Sequence, residues 1–262
     1  MNTTNKKNIE LIESLKNGLI VSCQTQPGDV IHGDGTTTVV TMAKAAKWAG
    51  AAGIRANSPE QIAAIKKEVD LPIIGLWKIK YPEVDTHIIT PTVEHAKKLI
   101  EAGADIVALD CTKWENPAIG GKPRVELIKM IKEEIPDVII FADCATYEEA
   151  AKAVEYGADI VSPTKFGYTP DTIALEPPAW REFARMCRDF KDKAYVIMEG
   201  HIYQPEDAMK ALYLGGHAVV VGSAITRPHY IAKRFTDLMG GLQDDWRIAE
   251  RTWTGVTTDL DK

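Results

Sequence analysis

The sequence predicts an α/β fold: a single (β/α)8 barrel of the TIM type with a C-terminal extension. Three observations carry that reading. Eight short apolar runs alternate with amphipathic stretches along the 262 residues. A glycine-centred segment recurs four times at near-even spacing. The length also matches the roughly 250 residues that one such barrel occupies. The barrel is expected to fill residues 1–240 and the extension residues 241–262.

The apolar runs are Leu19–Gln24, Gly53–Asn57, Pro72–Lys78, Asp105–Cys111, Asp137–Cys144, Asp159–Thr164, Ala194–Gly200 and His217–Ser223. Most are rich in Val and Ile and are apolar on both parities. Strands read this way when a parallel sheet is covered on both faces. Helix starts lie between them. Ser58-Pro59-Glu60-Gln61 offers a capping serine, a proline at the first helical position and a glutamine that closes a capping box. Thr146-Tyr147-Glu148-Glu149 is a second such box, and Thr90-Pro91-Thr92 and Gln204-Pro205-Glu206 open two more helices. Glu148–Tyr156 and Glu206–Leu214 then carry Ala, Val and Leu at three- and four-residue spacing.

The repeat runs through Gly50, Gly103, Gly157 and Gly216, at intervals of 53, 54 and 59 residues. Each glycine ends a helix and allows the turn into the next strand. Each interval holds two strand–helix units, so the glycines mark quarters of an eightfold barrel. An open doubly wound sheet is the alternative. It would not usually give four even quarters, and no GxGxxG follows the first strand.

Composition narrows the function. Lys plus Arg is 31 and Asp plus Glu is 37, a net charge of −6, which argues against a protein that coats nucleic acid. No stretch approaches the roughly 20 apolar residues of a membrane span, and the start MNTTNKKNIE lacks the apolar core of a signal peptide. Cys23, Cys111, Cys144 and Cys187 lie far apart without a CxxC pair, as reduced thiols in a cytoplasmic protein do. Cys23, Cys111 and Cys144 fall near strand ends, but no ligand spacing accompanies them, and no metal is expected.

A barrel places its chemistry at the carboxyl ends of the strands. The polar groups there are Gln24, Arg55, Lys78, Asp110, Asp143, Thr164, Glu199 and Ser223, with Arg227 just beyond. A lysine ending Pro-Ile-Ile-Gly-Leu-Trp-Lys and a glutamate closing Tyr-Val-Ile-Met-Glu are out of place unless paired or functional. Lys78 and Glu199 in one partly desolvated mouth make a workable acid/base pair, because burial lowers a lysine pKa and raises a glutamate pKa. Glu199-Gly200-His201 and Val221-Gly222-Ser223 through Arg227 follow strands seven and eight. Phosphate binds after those strands in this fold, on exposed backbone N–H groups and a helix start. Gly200, Gly222 and Ser223 are the candidates, with Arg227 adding a forked contact.

The same residues carry a family resemblance. The chain resembles the N-acetylmannosamine-6-phosphate 2-epimerases of bacterial sialic acid catabolism over roughly residues 15–235. The matching segments include Gly18 to Gln24 with Pro27-Gly28, Gly53-Ile54-Arg55-Ala56-Asn57-Ser58, and Leu71 to Gly75 leading to Lys78. Ile89-Thr90-Pro91-Thr92, Ala142-Asp143 with Thr146, Gly167-Tyr168-Thr169, Glu199-Gly200 and Val219 to Pro228 complete them.

The resemblance implies a cofactor-free epimerase acting at C2 of an N-acylated hexosamine 6-phosphate, converting manno to gluco. It assigns proton transfer to Lys78 with Glu199 as acidic partner. Gln24, Arg55, Asp143 and Thr146 would bind the sugar and its acetamido group. Gly200, Gly222, Ser223 and Arg227 would surround the phosphate. A homodimer is a further expectation, with a small sugar phosphate as the partner molecule. A base at C2 must be neutral, so Lys78 is expected to be depressed by burial or by Arg55.

The loops depart from the family pattern. Asp143-Cys144-Ala145-Thr146 stands for its usual Asp-Ile-Ser-Thr, His201 for a basic residue, and Ser162-Pro163-Thr164-Lys165-Phe166 for a threonine-rich approach to Ser-Gly-Tyr-Thr. The stretch Cys111 to Pro117 lacks the family's arginine-rich pattern. Two other readings are another sugar-phosphate epimerase or isomerase on the same barrel, and a protein that binds an amino-sugar phosphate without turnover. Retention of Lys78 and Glu199 favours turnover, since binding alone needs neither base nor acid.

Overall fold

A computed structural model of the chain describes residues 5–240 apart from Asp85. Eight parallel strands close a barrel: β1 Leu19–Cys23, β2 Gly53–Asn57, β3 Ile73–Leu76, β4 Ile106–Asp110, β5 Ile140–Asp143, β6 Ile160–Ser162, β7 Tyr195–Glu199 and β8 Ala218–Val221. Each pairs with its sequence neighbours, and β8 closes onto β1 with Val221 beside Val21. Every run read as a strand in the sequence contains one of these.

Helices α1 Lys6–Glu13, α2 Thr37–Trp48, α3 Pro59–Glu68, α4 Val93–Glu101, α5 Glu126–Glu134, α6 Tyr147–Glu155, α7 Trp180–Phe190 and α8 Pro205–Tyr213 are joined by a short α9 Ser223–Thr226 and by α10 Pro228–Gly240. Ser58, Thr92 and Thr146 cap their helices, whereas Gln204 makes no side-chain cap bond and Gln61 turns its amide to the Thr25 carbonyl instead of closing a box with Ser58. Ser58 accepts from Gln61 N–H at the head of α3, and the Thr146–Glu149 box closes both ways at the head of α6. The repeat glycines Gly50, Gly103 and Gly157 adopt positive φ after their helices, as a helix-ending turn requires, and the fourth positive φ falls on Gly215.

Two apolar layers hold the barrel. The outer layer lies between strands and helices, with Ile54, Val107, Ile128, Ala150 and Phe183 fully covered. The inner layer fills the barrel with Ile20, Ile74, Ile106, Phe141, Ile160, Ile197 and Val220. Ile12 and Leu15, from α1 and the turn after it, join the inner layer and are fully buried. His217 Nε2 donates to the Ile12 carbonyl at 2.8 Å. That ties α1 to the amino end of β8, away from the candidate site. Asp105 and Asp159 also serve the amino end. Each receives the first backbone N–H of the preceding strand, Ile73 or Ile140, at 2.9 Å and pairs with Lys66 or Lys132.

The chain falls into two compact units, one ending at Thr226 and the other beginning at Arg227. The sequence suggested a boundary at 240 instead. Arg227 and α10 belong to the second unit, and the expected extension, 241–262, lies outside the described residues. No helix among the described residues is long and apolar enough to cross a membrane.

Candidate active site

Side chains alternate along a strand, so one parity of each barrel strand points inward. In β4 that parity reads Ile106, Ala108, Asp110; in β7 it reads Tyr195, Ile197, Glu199; in β5 it runs from Phe141 to Asp143. The apolar members belong to the inner core. The charged member comes last each time, at the carboxyl end. The register sets Asp110 beside Asp143 and Arg55 beside Ser22, so these polar groups form one layer above the inner core.

Arg55 organises that layer. Its side chain is 1% exposed and forks onto Asp143, with Nη2 at 2.9 and 2.7 Å from the two carboxylate oxygens. Its Nη1 donates to Glu199 at 3.2 Å. The guanidinium rests over the Phe141 ring at 5.0 Å. Its Nε is buried with no acceptor among the described residues. A buried cation of this kind is stable only because both carboxylates meet it.

Burial pushes the Asp143 carboxyl up to about 6, against the pull of Arg55 and with a further push from the Glu199 charge. The sign follows from linkage. The folded chain holds this proton more tightly than the unfolded chain, where the pKa is roughly 3.9. This contribution to stability is therefore complete below the unfolded value and is lost as pH rises through about 6. Activity should run the other way, because protonation removes the charge that fixes Arg55. Carbon-13 NMR of the labelled Asp143 carboxyl should show a midpoint near 6, with kcat/KM falling below that pH. A midpoint near 4 would contradict this.

Lys78 follows β3 and is half-buried. Two backbone contacts fix the turn that carries it. Lys78 N–H donates to Asn57 Oδ1 at 3.0 Å, and Trp77 N–H donates to Thr90 Oγ1 at 3.1 Å. Lys78 then pairs with Ile89 in a two-residue antiparallel ladder that the sequence did not announce. The His87 imidazole is held below its usual range, first by burial and then by the charges of Lys78, Lys80 and Lys165. The strand order runs β1-β8-β7-β6-β5-β4-β3-β2, so β3 and β7 are diametrically opposed. Lys78 and Glu199 thus come off opposite walls, with Arg55 reaching from β2 to Glu199.

The loops after β7 and β8 are shaped by close approach. Gly200 has φ +106°, and a Cβ there would meet the Thr164 carbonyl oxygen at 3.4 Å. At Gly222 a Cβ would stand 3.3 Å from Ser22 Cβ. Ser223 begins α9, and Thr226 Oγ1 pins α9 to the Ser22 carbonyl at 2.8 Å. His201 stacks on Tyr168 at 4.8 Å. Gln24 is buried and donates to Ser22 Oγ at 2.7 Å. Thr146 is the N-cap of α6, its hydroxyl accepting from Glu149 N–H. Arg227 lies in the second unit.

A second polar cluster was only half-visible in the sequence. Asp110 was marked there, but Arg124 and Lys165 were not. Arg124 Nη1 donates to Asp110 at 3.0 Å and to Thr112 Oγ1 at 2.9 Å, and Lys165 Nζ stands 3.3 Å from the same Asp110 oxygen. Burial would raise the Asp110 pKa, yet Lys165, Arg124 and Thr112 together hold it below its usual value. The signal available was Lys165 itself, a cation between the buried Thr164 and Phe166. Among the described residues, no three His, Cys, Asp or Glu side chains are placed to hold a metal ion.

Comparison with known proteins bears on this geometry. The family model described as "Putative N-acetylmannosamine-6-phosphate epimerase" matches residues 39–241. The chain belongs to this epimerase family. A relative from Caldanaerobacter subterraneus subsp. tengcongensis, described as a 2-epimerase of that kind, is 48% identical over 227 residues, 87% of this chain and 93% of its own. One from Clostridioides difficile is 42% identical over 225 residues, 86% and 97% of the two chains. The solved N-acetylmannosamine-6-phosphate 2-epimerase from Clostridium perfringens superposes with a TM-score of 0.78 at 37% identity, covering 87% of this chain and 95% of that one. A thiamine phosphate pyrophosphorylase from Pyrococcus furiosus, at 19% identity and a TM-score of 0.55, shares the barrel alone. Membership in the epimerase family agrees with the resemblance read from the sequence.

Proposed function

We propose that this protein is an isomerase that converts N-acetylmannosamine 6-phosphate to N-acetylglucosamine 6-phosphate by moving a proton at C2. The observation that carries the reading is the pair of opposed groups. Inversion at a carbon needs a base on one face and an acid on the other, and Lys78 and Glu199 come off diametrically opposite strands. In the open-chain sugar the C1 aldehyde acidifies the C2 proton. Lys78, as the neutral amine, removes it. The electron pair delocalises onto the C1 oxygen as an enolate, which positioned donors stabilise. Glu199, a carboxylate beside Arg55 at rest, takes the C1 hydroxyl proton as the ring opens and returns it to the other face of C2. Arg55, Asp143 and Gln24 hold the sugar end. Thr146, as the cap of α6, fixes the loop after β5.

The phosphate sits in this reading on the backbone of Gly200, Gly222 and Ser223, with Arg227 as its charged partner. A charge-assisted contact of this kind is worth roughly 1.5–3 kcal/mol, about tenfold to a hundredfold. Wild type should convert the 6-phosphorylated sugar, with a kcat/KM above that for the free sugar by at least that factor. Arg227→Ala should lose part of the preference. Equal use of both sugars would contradict the assignment. Four buried free cysteines support a cytoplasmic protein, and the net charge of −6 supports one without a nucleic-acid partner. Exposed Phe235, Leu238 and Met239 on α10 support a homodimer.

A further inference from the structure

A cavity of about 390 Å³ lies beside the Asp110 cluster, lined among others by Trp114, Arg124, Lys165, Tyr168, Glu83 and Glu115. Its walls come from the segments after β3, β4 and β6. The volume falls in the range of ligand sites, roughly 300–1,000 Å³, and exceeds what a two-carbon acyl group needs. We infer that this cavity receives the distal end of a longer acyl arm on the sugar's C2 nitrogen, beyond the two carbons of an acetyl group, and that Lys165 admits arms ending in a carboxylate. The inference rests on the proposed epimerase reading and deepens it.

Position comes first. A sugar with its 6-phosphate after β7 and β8, and its C2 at Lys78 after β3, directs its 2-substituent toward the walls after β3 and β4. The strand order places those walls opposite β7 and β8. Lys165 reaches this side from the segment after β6. Its Nζ donates to the His87 carbonyl at 3.5 Å, on the same turn whose imidazole feels the Lys78 charge. The Lys165 wall of the cavity therefore adjoins the ladder in which Lys78 pairs with Ile89.

Charge comes second. Asp110 already has a complete set of partners without Lys165. One oxygen accepts from the Thr112 hydroxyl at 2.7 Å and from Thr112 N–H at 3.2 Å, and the other accepts from Arg124 at 3.0 Å. Lys165 adds a second buried cation to one buried carboxylate. An ammonium has three N–H donors. Among the described residues two are used, on Asp110 and His87, which leaves one for a ligand in the cavity that Lys165 lines. Glu83 and Glu115 lie at the exposed rim, where solvent screens them. Trp114 and Tyr168 give the arm apolar walls.

The test compares N-acetyl- with N-succinyl-mannosamine 6-phosphate, as the ratio of their kcat/KM values in wild type, Lys165→Met and Lys165→Arg. Wild type should use the succinyl sugar within tenfold of the acetyl one. Lys165→Met should lower the succinyl-to-acetyl ratio at least tenfold, the loss of one charge-assisted contact, and Lys165→Arg should keep most of it. A purely structural lysine would lower both substrates together and leave the ratio unmoved. Wild type favouring acetyl by more than tenfold, or a ratio unmoved in Lys165→Met, overturns the inference. Absence of turnover with the acetyl sugar in wild type would remove the epimerase reading first, and this inference with it.

Discussion

Lys78→Ala is expected to lower kcat by roughly a hundredfold to ten-thousandfold, the usual contribution of a positioned proton-transfer group, with KM within a few-fold of wild type. The backbone contacts that shape its turn, from Lys78 N–H to Asn57 and across the ladder to Ile89, do not involve the side chain and persist in the variant. Its thermal midpoint should therefore stay within a few degrees of wild type. Lys78→Arg should fail equally, because a guanidinium does not give up its proton in this pH range. Steady-state kinetics on the phosphorylated sugar check both. Either variant within tenfold of wild type would remove Lys78 as the base.

Arg55→Met should be the most damaging change to stability. It leaves Asp143 fully buried and Glu199 18% exposed without the cation that both now meet. Breaking a buried pair from one side costs roughly 3–5 kcal/mol, which in a unit of this size lowers the thermal midpoint by roughly 10 °C. Activity falls with it, since Glu199 loses the donor that orients it. Arg55→Met with Asp143→Asn should recover part of the stability, because the second change removes the stranded charge. A single variant as stable as wild type at pH 7 would show that the network is not what holds the layer together.

Much of the barrel is legible in the chain because its strands are covered on both faces. Runs such as Asp105–Cys111 have no polar parity to confuse the reading, and their carboxyl ends are where charge first appears. Arg55, Lys78, Asp143 and Glu199 were found that way. The third run was read through Lys78, yet β3 stops at Leu76. There Trp77 leaves the ladder for Thr90: its N–H donates to the Thr90 hydroxyl at 3.1 Å and its carbonyl accepts from Thr90 N–H at 2.7 Å. Two-residue ladders of this kind lie below any periodic signal. Arg124 and Lys165 were missed for a related reason. Each meets Asp110 from a loop, and such contacts depend on how loops fold across the barrel mouth rather than on strand pattern. Thr146 was legible as a cap and as a residue matching the family. Its geometry is that of the cap.

The central claim is proton transfer at C2 between two groups on opposite walls. Proton NMR of the protein with N-acetylmannosamine 6-phosphate in D2O tests it most directly. The account predicts that the gluco epimer appears with deuterium at C2, at wild-type rate, and that Lys78→Ala forms neither product nor C2-deuterated substrate. Product that forms while C2 keeps its original hydrogen would contradict it.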